Sequence, residues 1–400
     1  MNLTSSHPFW SVNNGLPATY PSLQRNVSCD AVVIGGGITG ALVAVHLVEA
    51  GAKTLVIDQR EIGTGSTSAS TALLQYEVDV PLRVLVKQVG PAAAARSYKL
   101  CRGAIGKLER LAARLKIKCG FERKPSLFLA RYQGEIPELR EEFALRRKIG
   151  FDLEFFDTAA IQDRFPFSRP AALYSQDGGQ VDPHRLTHGL LAGGKRAGLE
   201  VYDRTKMAHL EETRRGVRIT TENGCVINAR RAVIAAGFES KELVTVGAGT
   251  LKSTYALISE PLAEIPGWHQ RCLIWESGSP YLYLRTTSEG RIMVGGEDED
   301  FVNAKRRDAL ISAKTRTLVK KFGRLFPNVK LEVAYAWAGT FGETKDGLAY
   351  IGVHPRFPRC HFALGYGGNG ITFSVIAAEI IRDQFLGRPN HDAHLFRFGR

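Results

Sequence analysis

The chain is predicted to be an α/β protein, α+β overall, with a dinucleotide-binding unit and a separate antiparallel part. Three observations carry this. The first is Ala31-Val32-Val33-Ile34-Gly35-Gly36-Gly37-Ile38-Thr39-Gly40, an apolar run broken by glycines that resumes as Ala41-Leu42-Val43-Ala44-Val45, which reads as strand, tight turn and helix. The second is the strand Thr54-Leu55-Val56-Ile57, which follows at βαβ spacing and ends in Asp58, 18 residues after Gly40. The third is a change to alternating strands after Leu251 and a return, near Ala334, to strands that end in glycine. In the first unit Gly35 permits the turn, Gly37 lets the backbone approach a pyrophosphate, and Gly40 lets the helix pack on the strand. The helix N-terminus then faces the phosphates, and Asp58 is placed to accept from a ribose hydroxyl.

Four hundred residues with 44% hydrophobic content suffice for a large core and two to three domains. Residues 1–25 contain Pro8, Pro17 and Pro21 and no continuous apolar segment, so neither a secretory signal nor a membrane anchor is expected, and the protein is read as cytoplasmic. Six cysteines stand singly with no metal-like spacing, which implies reduced thiols and no metal site. The net charge of +13 is uneven: residues 96–148 hold 15 Lys/Arg against 6 Asp/Glu, and residues 303–330 hold 9 against 1. Both stretches have helical spacing and are read first as solvated helix faces, second as a surface for an acidic electron carrier or another anionic partner. No RNA-binding motif or interleaved aromatic cluster supports nucleic acid.

In chain order, Gly63-Thr64-Gly65-Ser66-Thr67-Ser68-Ala69-Ser70-Thr71 is a small, polar loop suited to close contact with a ligand. An amphipathic helix is expected over 91–118, from Leu100, Ala104, Leu108, Leu111 and Leu115. A strand at 126–130, a helix at 135–149 and, after Val181-Asp182-Pro183, a helix at 184–196 follow. Short strands are expected near 201, 207–210, 217–220 and 232–234, the last meeting Ala235-Ala236-Gly237 as a parallel strand meets a buried ligand. Antiparallel strands at 254–259, 272–275, 281–285 and 291–295 precede one basic helix at 303–322. The chain closes with Phe362-Ala363-Leu364-Gly365-Tyr366-Gly367-Gly368-Asn369-Gly370 leading into a helix at 371–385, a second helix N-terminus offered to an anionic group.

This ordered set resembles the D-amino-acid oxidase-like family of FAD-dependent oxidoreductases over nearly the whole chain. The matching pieces are Gly35 to Gly40, Asp58, Gly65-Ser66-Thr67, Val181-Asp182-Pro183, Ala235-Ala236-Gly237, Thr344-Lys345-Asp346-Gly347 with Ile351-Gly352, and the terminal glycine cluster. The resemblance implies a Rossmann-like FAD-binding domain built from three chain segments, 26–90, 151–245 and 334–390, with an inserted antiparallel-sheet substrate domain from 91–150 and 246–333 and an N-terminal extension, 1–25. By similarity, Gly35, Gly37, Ile38, Thr39 and Gly40 hold the pyrophosphate region. Asp58, with Gln59 and Arg60, meets the adenosine ribose. Gly65, Ser66 and Thr67 meet the phosphate and ribityl region, and Met207 meets adenine. Ala236, Gly237, Gly339 and Asp346 belong to the same cofactor-binding set. Gly367, Gly368, Asn369, Gly370, Ile371 and Thr372 lie against the ribityl chain and the pyrimidine edge, where a helix dipole favours the negative charge of reduced flavin.

The chain also departs from the family. Where some members bond flavin to a cysteine, it has Gly339, so FAD is expected to be non-covalent. A substrate arginine and lysine used elsewhere in the family fall at Ala72 and Thr372, and an oxygen-activating lysine aligns with Met293, from which slow reaction with O2 is expected. The implied reaction is oxidation of the C–N bond of a small amine or amino acid to an imine, with hydride transfer to flavin N5 and no certain catalytic side chain; electrons then pass to O2 or an electron-transfer partner. Tyr281, Tyr283 and Arg285 alternate on one strand face and form the candidate substrate anchor. Two other readings stay open: an NAD(P)-dependent dehydrogenase, from the first motif alone, and a flavoprotein component acting on a macromolecule such as tRNA, from the basic stretches.

Overall fold

In the computed structural model, which describes residues 2–5, 7–244, 250–278 and 280–400, the strands form two sheets. The first is built around Val27–Ile34, flanked in parallel by Thr54–Ile57 and Val226–Ile234. Glu200–Tyr202 and Phe357–Leu364 extend it in parallel on either side, and Tyr350–His354 closes one edge antiparallel. The central strands are covered on both faces, which is why they read as unbroken apolar runs. The helix Ile38–Glu49 that follows the glycine turn packs against two others, Pro183–Arg196 and Gly370–Phe385. Leu42, Val45, Leu190 and Ile376 meet in that core.

The second sheet runs in the order Val333–Glu343, Thr250–Ser259, Ile292–Glu299, Leu282–Thr286, Leu273–Glu276, Glu122–Leu129, Ala171–Gln180, Leu73–Leu74, with Leu153–Asp157 also paired to Ala171–Gln180. All of its pairs are antiparallel except Leu273–Glu276 with Glu122–Leu129. Leu318, Phe322 and Leu325 of the helix Ile311–Leu325 cover one face through Leu257, Leu284 and Val294.

The strands divide differently from the sequence expectation. Residues 153–180, expected with the cofactor domain, and 333–343 contribute strands to the second sheet, whereas the helix Pro91–Arg114, expected in the substrate domain, packs against Gly370–Phe385. The boundary expected at 245/246 lies outside the described residues. The single helix expected at 303–322 is two, Ala304–Ala309 and Ile311–Leu325, the first capped by Asn303, which accepts from the Arg306 N–H at 2.9 Å. The loop after Gly65 contains a short helix, Ser66–Ala69. The N-terminal extension carries a helix, Phe9–Asn14, and is docked: Trp10 Nε1 donates to the Ser70 carbonyl at 2.7 Å, and the Thr340 N–H donates to the Leu3 carbonyl at 2.8 Å.

Each basic stretch has exposed faces but also contributes one buried arginine. Arg146 sits between Glu142 (2.7 Å) and Glu77 (3.1 Å), and Arg307 donates to the Asn2 carbonyl and Thr340 Oγ1, both at 3.1 Å. All six cysteines are free thiols. Among the described residues no helix is long and apolar enough to cross a membrane.

Candidate cofactor and substrate site

A continuous cavity of about 1060 Å³ runs from the glycine turn of the first sheet to the inner face of the second. At its first end Gly35 adopts φ +111°, and a Cβ on Gly40 would stand 1.8 Å from the Gly35 carbonyl oxygen, so turn and helix are locked together through glycine. Asp58 lines the cavity; its Oδ2 accepts from the Gly36 N–H at 2.7 Å and its Oδ1 from the Arg60 N–H at 2.8 Å, which leaves each oxygen capacity for a further hydrogen bond. Burial pushes the Asp58 carboxyl up, against those two N–H groups. Arg60 pairs bidentately with Glu239 at 3.0 and 2.7 Å, and Gln59 donates to the same carboxylate at 2.9 Å, closing this end.

Midway, Thr67 Oγ1 accepts from the Ile38 N–H at 3.0 Å, and Ser66 Oγ is a buried hydroxyl with no partner. Farther along, the Gly368 N–H donates to Asp79 Oδ2 at 2.7 Å, and Asn369 Nδ2 donates to the Glu77 carbonyl at 2.7 Å. A Cβ on Gly367, at φ +55°, would stand 1.8 Å from Asp79 Oδ2. The Arg146 ion network therefore holds Glu77, and Glu77 holds the last glycine turn.

Of the expected cofactor residues, Gly35, Gly37, Ile38, Thr39, Asp58, Gln59, Arg60, Gly65, Ser66, Thr67, Met207, Ala236, Gly237, Gly339 and Gly367 to Thr372 line this cavity. Gly40 lies behind the turn in its packing role. Asp346 is a correction: it pairs with Arg400 at 2.8 Å, away from the cavity, and accepts from the Leu348 N–H at 3.1 Å, so it closes its own turn.

One substrate-side expectation, Arg285, and the oxygen-access expectation, Met293, are also corrected. Tyr281 and Tyr283 line the cavity with ring centroids 5.8 Å apart, and burial keeps both phenols protonated, Tyr283 pushed up to about 12. Arg285 does not join them. It is 2% exposed and donates to the carbonyls of Thr71 (2.9 Å), Ala72 (2.8 Å), Val181 (3.1 Å) and Thr286 (3.3 Å). Strand alternation placed it on the same side, but the 71–72 and 181 backbone lies over it; burial lowers its pKa to about 10. Met293 is likewise sealed, packed with Phe9, Trp10, Ile258 and Trp337 under the N-terminal helix.

The sequence reading missed Asp79, Lys252, Asp298 and Glu343, all of which line the cavity. They come from four separate segments, so no local spacing announced them.

Met293→Lys should place an ammonium group in an apolar cluster and destabilise the fold by on the order of 3 kcal/mol or more. Urea unfolding checks this, and air reoxidation of the folded fraction should keep its wild-type rate. Asp58→Ala should weaken FAD binding by about 1–3 kcal/mol, measured by titrating apoprotein with FAD and following flavin fluorescence.

A parallel sheet whose glycine turns open on a long cavity, roofed by a second sheet, has the layout of a dinucleotide-cofactor-binding protein. The model of the family described as "DAO: FAD dependent oxidoreductase" matches residues 30–384. The chain is 26% identical to a glycine oxidase of Bacillus licheniformis, over 90% of this chain and 94% of that protein. It is also 26% identical to the gamma-glutamylputrescine oxidoreductase of Escherichia coli K12, over 96% and 89%. The crystal structure of glycine oxidase from Geobacillus kaustophilus superposes with a TM-score of 0.77 at 21% identity, covering 93% of this chain and 99% of that one. The chain belongs to the DAO family of FAD-dependent oxidoreductases. The site fits FAD: the orphaned Ser66 hydroxyl on the wall of the cofactor groove is a group that a nucleotide-linked flavin would meet, and the family match sets the NAD(P)-dependent reading aside.

Proposed function

We propose that the enzyme oxidises the C–N bond of a small amine or amino acid to an imine, which water hydrolyses to a carbonyl compound and ammonia or an amine. The observation that carries this reading is the continuity of the cavity from Asp58 to Tyr281 and Tyr283: cofactor groove and substrate wall are one space. The names of the relatives, a glycine oxidase and a gamma-glutamylputrescine oxidoreductase, support it. FAD, when bound, supplies a two-electron acceptor for the hydride lost from the carbon beside nitrogen.

The chain's own residues bind, orient and exclude water. Asp58 and the glycine turn hold the adenosine end, the Gly367 to Thr372 junction holds the other end, and Tyr281 and Tyr283 wall the space where a substrate carbon sits. The cofactor part follows the first sheet and its helices, the substrate part follows the second sheet, and the N-terminal segment through residue 25 braces the loop between them. A cytoplasmic setting belongs to the same reading, supported by the six free thiols. The electrons leave to O2 or to an electron-transfer partner.

FAD is held without a covalent bond in this reading, since no cysteine or histidine is among the described residues that line the cavity and Gly339 faces Ala69. Acid precipitation should leave a colourless pellet and free FAD in the supernatant; a yellow pellet contradicts it. The reaction is tested by incubating the holoenzyme with primary and secondary amines, amino acids and 2-hydroxy acids in the presence of a reducible dye. A carbonyl product with release of ammonia or an amine, from the nitrogen compounds alone, is the expected result. Turnover of only the hydroxy acids overturns the reading.

A further inference from the structure

The charges on the cavity wall are lopsided. Among the described residues ten carboxylates line it against four Lys and Arg, and each of these four cations has an acid: Arg60 pairs with Glu239, Arg83 with Glu138, Lys206 with Glu222, and Lys252 with Glu343 at 3.0 Å. The one arginine that strand alternation pointed at the site, Arg285, is consumed by four backbone carbonyls. A substrate carboxylate therefore finds no uncommitted cation among the described lining residues.

The opposite holds for a cation. Asp298 and Asp79 line the same space as Tyr281 and Tyr283, and neither is ion-paired among the described residues. Asp79 accepts one N–H, from Gly368 at 2.7 Å, and Asp298 Oδ1 is buried without a partner. Glu343, reached through Lys252, adds to the field on both. Desolvation inside the cavity, reinforced by these neighbouring acids and only partly offset by Lys252, pushes each aspartate up to about 6. The two phenol rings, 5.8 Å apart, offer the faces that ammonium groups prefer.

We propose, on the basis of the amine-oxidation reading above, that the substrate is a diamine-like cation with no carboxylate, whose non-reacting ammonium group is held by Asp298 and Asp79 against the rings of Tyr281 and Tyr283. The group held there is the one that does not react. Loss of hydride requires the reacting nitrogen to be neutral, and a pair of ionised carboxylates beside it would hold its proton in place. On a second, remote nitrogen the same pair supplies binding without opposing the chemistry.

The test uses the holoenzyme with three substrates of one length, 1,4-diaminobutane, butylamine and 4-aminobutyrate, with a dye as acceptor. The diamine should be preferred over butylamine by tenfold or more in kcat/KM, and 4-aminobutyrate should be the poorest. Asp298→Asn and Asp79→Asn should raise KM for the diamine at least tenfold with a smaller change in kcat, and the diamine-to-butylamine ratio should fall towards one. A readout independent of these variants is inhibition of the wild type: tetramethylammonium should compete with the diamine, and acetate should not. If 4-aminobutyrate or glycine is oxidised as well as the diamine, or acetate competes and tetramethylammonium does not, this proposal is overturned while amine oxidation stands. If no nitrogen compound is oxidised, the amine reading itself has failed and the proposal falls with it.

Discussion

Arg285→Ala should destabilise the protein by about 3–5 kcal/mol and strip it of FAD, although the residue touches neither end of the cavity. The guanidinium is the sole side-chain donor to the carbonyls of Thr71, Ala72 and Val181 among the described hydrogen bonds. Ala72 has φ +53°, a conformation that costs an alanine free energy and persists only where its surroundings impose it. Arg285 grips the carbonyl on each side of that kink and ties it to the start of the helix Pro183–Arg196. Removing it leaves three acceptors bare, those of Ala72 and Val181 buried, and frees the end of the 65–71 loop, whose Ser66 and Thr67 line the cofactor groove. Lysine restores the charge without the planar fork and should recover only part of the loss. Urea unfolding and the flavin content of the purified variants measure both effects. A variant with normal stability and full flavin would show that the loop is held by other contacts.

Gly40→Ala should be the second severe change. Its Cβ would lie 1.8 Å from the Gly35 oxygen and 3.3 Å from Val33 Cγ1, and the first of these is backbone that cannot rotate away. The helix Ile38–Glu49 must move off the strand Val27–Ile34, at a cost of about 3 kcal/mol or more, and the cofactor loses the aligned helix N-terminus. Gly103→Ala is the matched control. It is an exposed position in the helix Pro91–Arg114 with nothing within 4 Å, so alanine should be neutral or stabilising by up to about 1 kcal/mol. Thermal unfolding with and without added FAD separates the two variants.

The first sheet and the cofactor groove were legible because their signals are local. A buried parallel strand is a short apolar run, and a phosphate turn is glycine at fixed spacing; both survive without knowledge of the rest of the chain. The second sheet was half legible. Ala171–Gln180 contains two glycines and several polar residues, and its place is set by pairing with Glu122–Leu129 and Leu153–Asp157. Alternation puts Tyr281 and Tyr283 on one strand face, and both line the cavity, but it says nothing of what lies above a given position. Above Arg285 is the 71–72 backbone, and above Met293 are Phe9 and Trp10 of a segment that sequence reading left unstructured. Arg146 was hidden differently: the buried positions Leu139, Glu142 and Arg146 keep helical period, but two are charged, so the face passed for solvated.

The most direct test of FAD-dependent amine oxidation is to mix the holoenzyme, without oxygen and without any other acceptor, with 1,4-diaminobutane and butylamine. The bound flavin should lose its visible absorption in a single turnover, with about one carbonyl product formed per FAD reduced, and deuteration at the carbon beside nitrogen should slow the bleaching. A flavin that stays fully oxidised with every amine and amino acid tried, yet bleaches with dithionite, would contradict the assignment of this cavity to C–N oxidation.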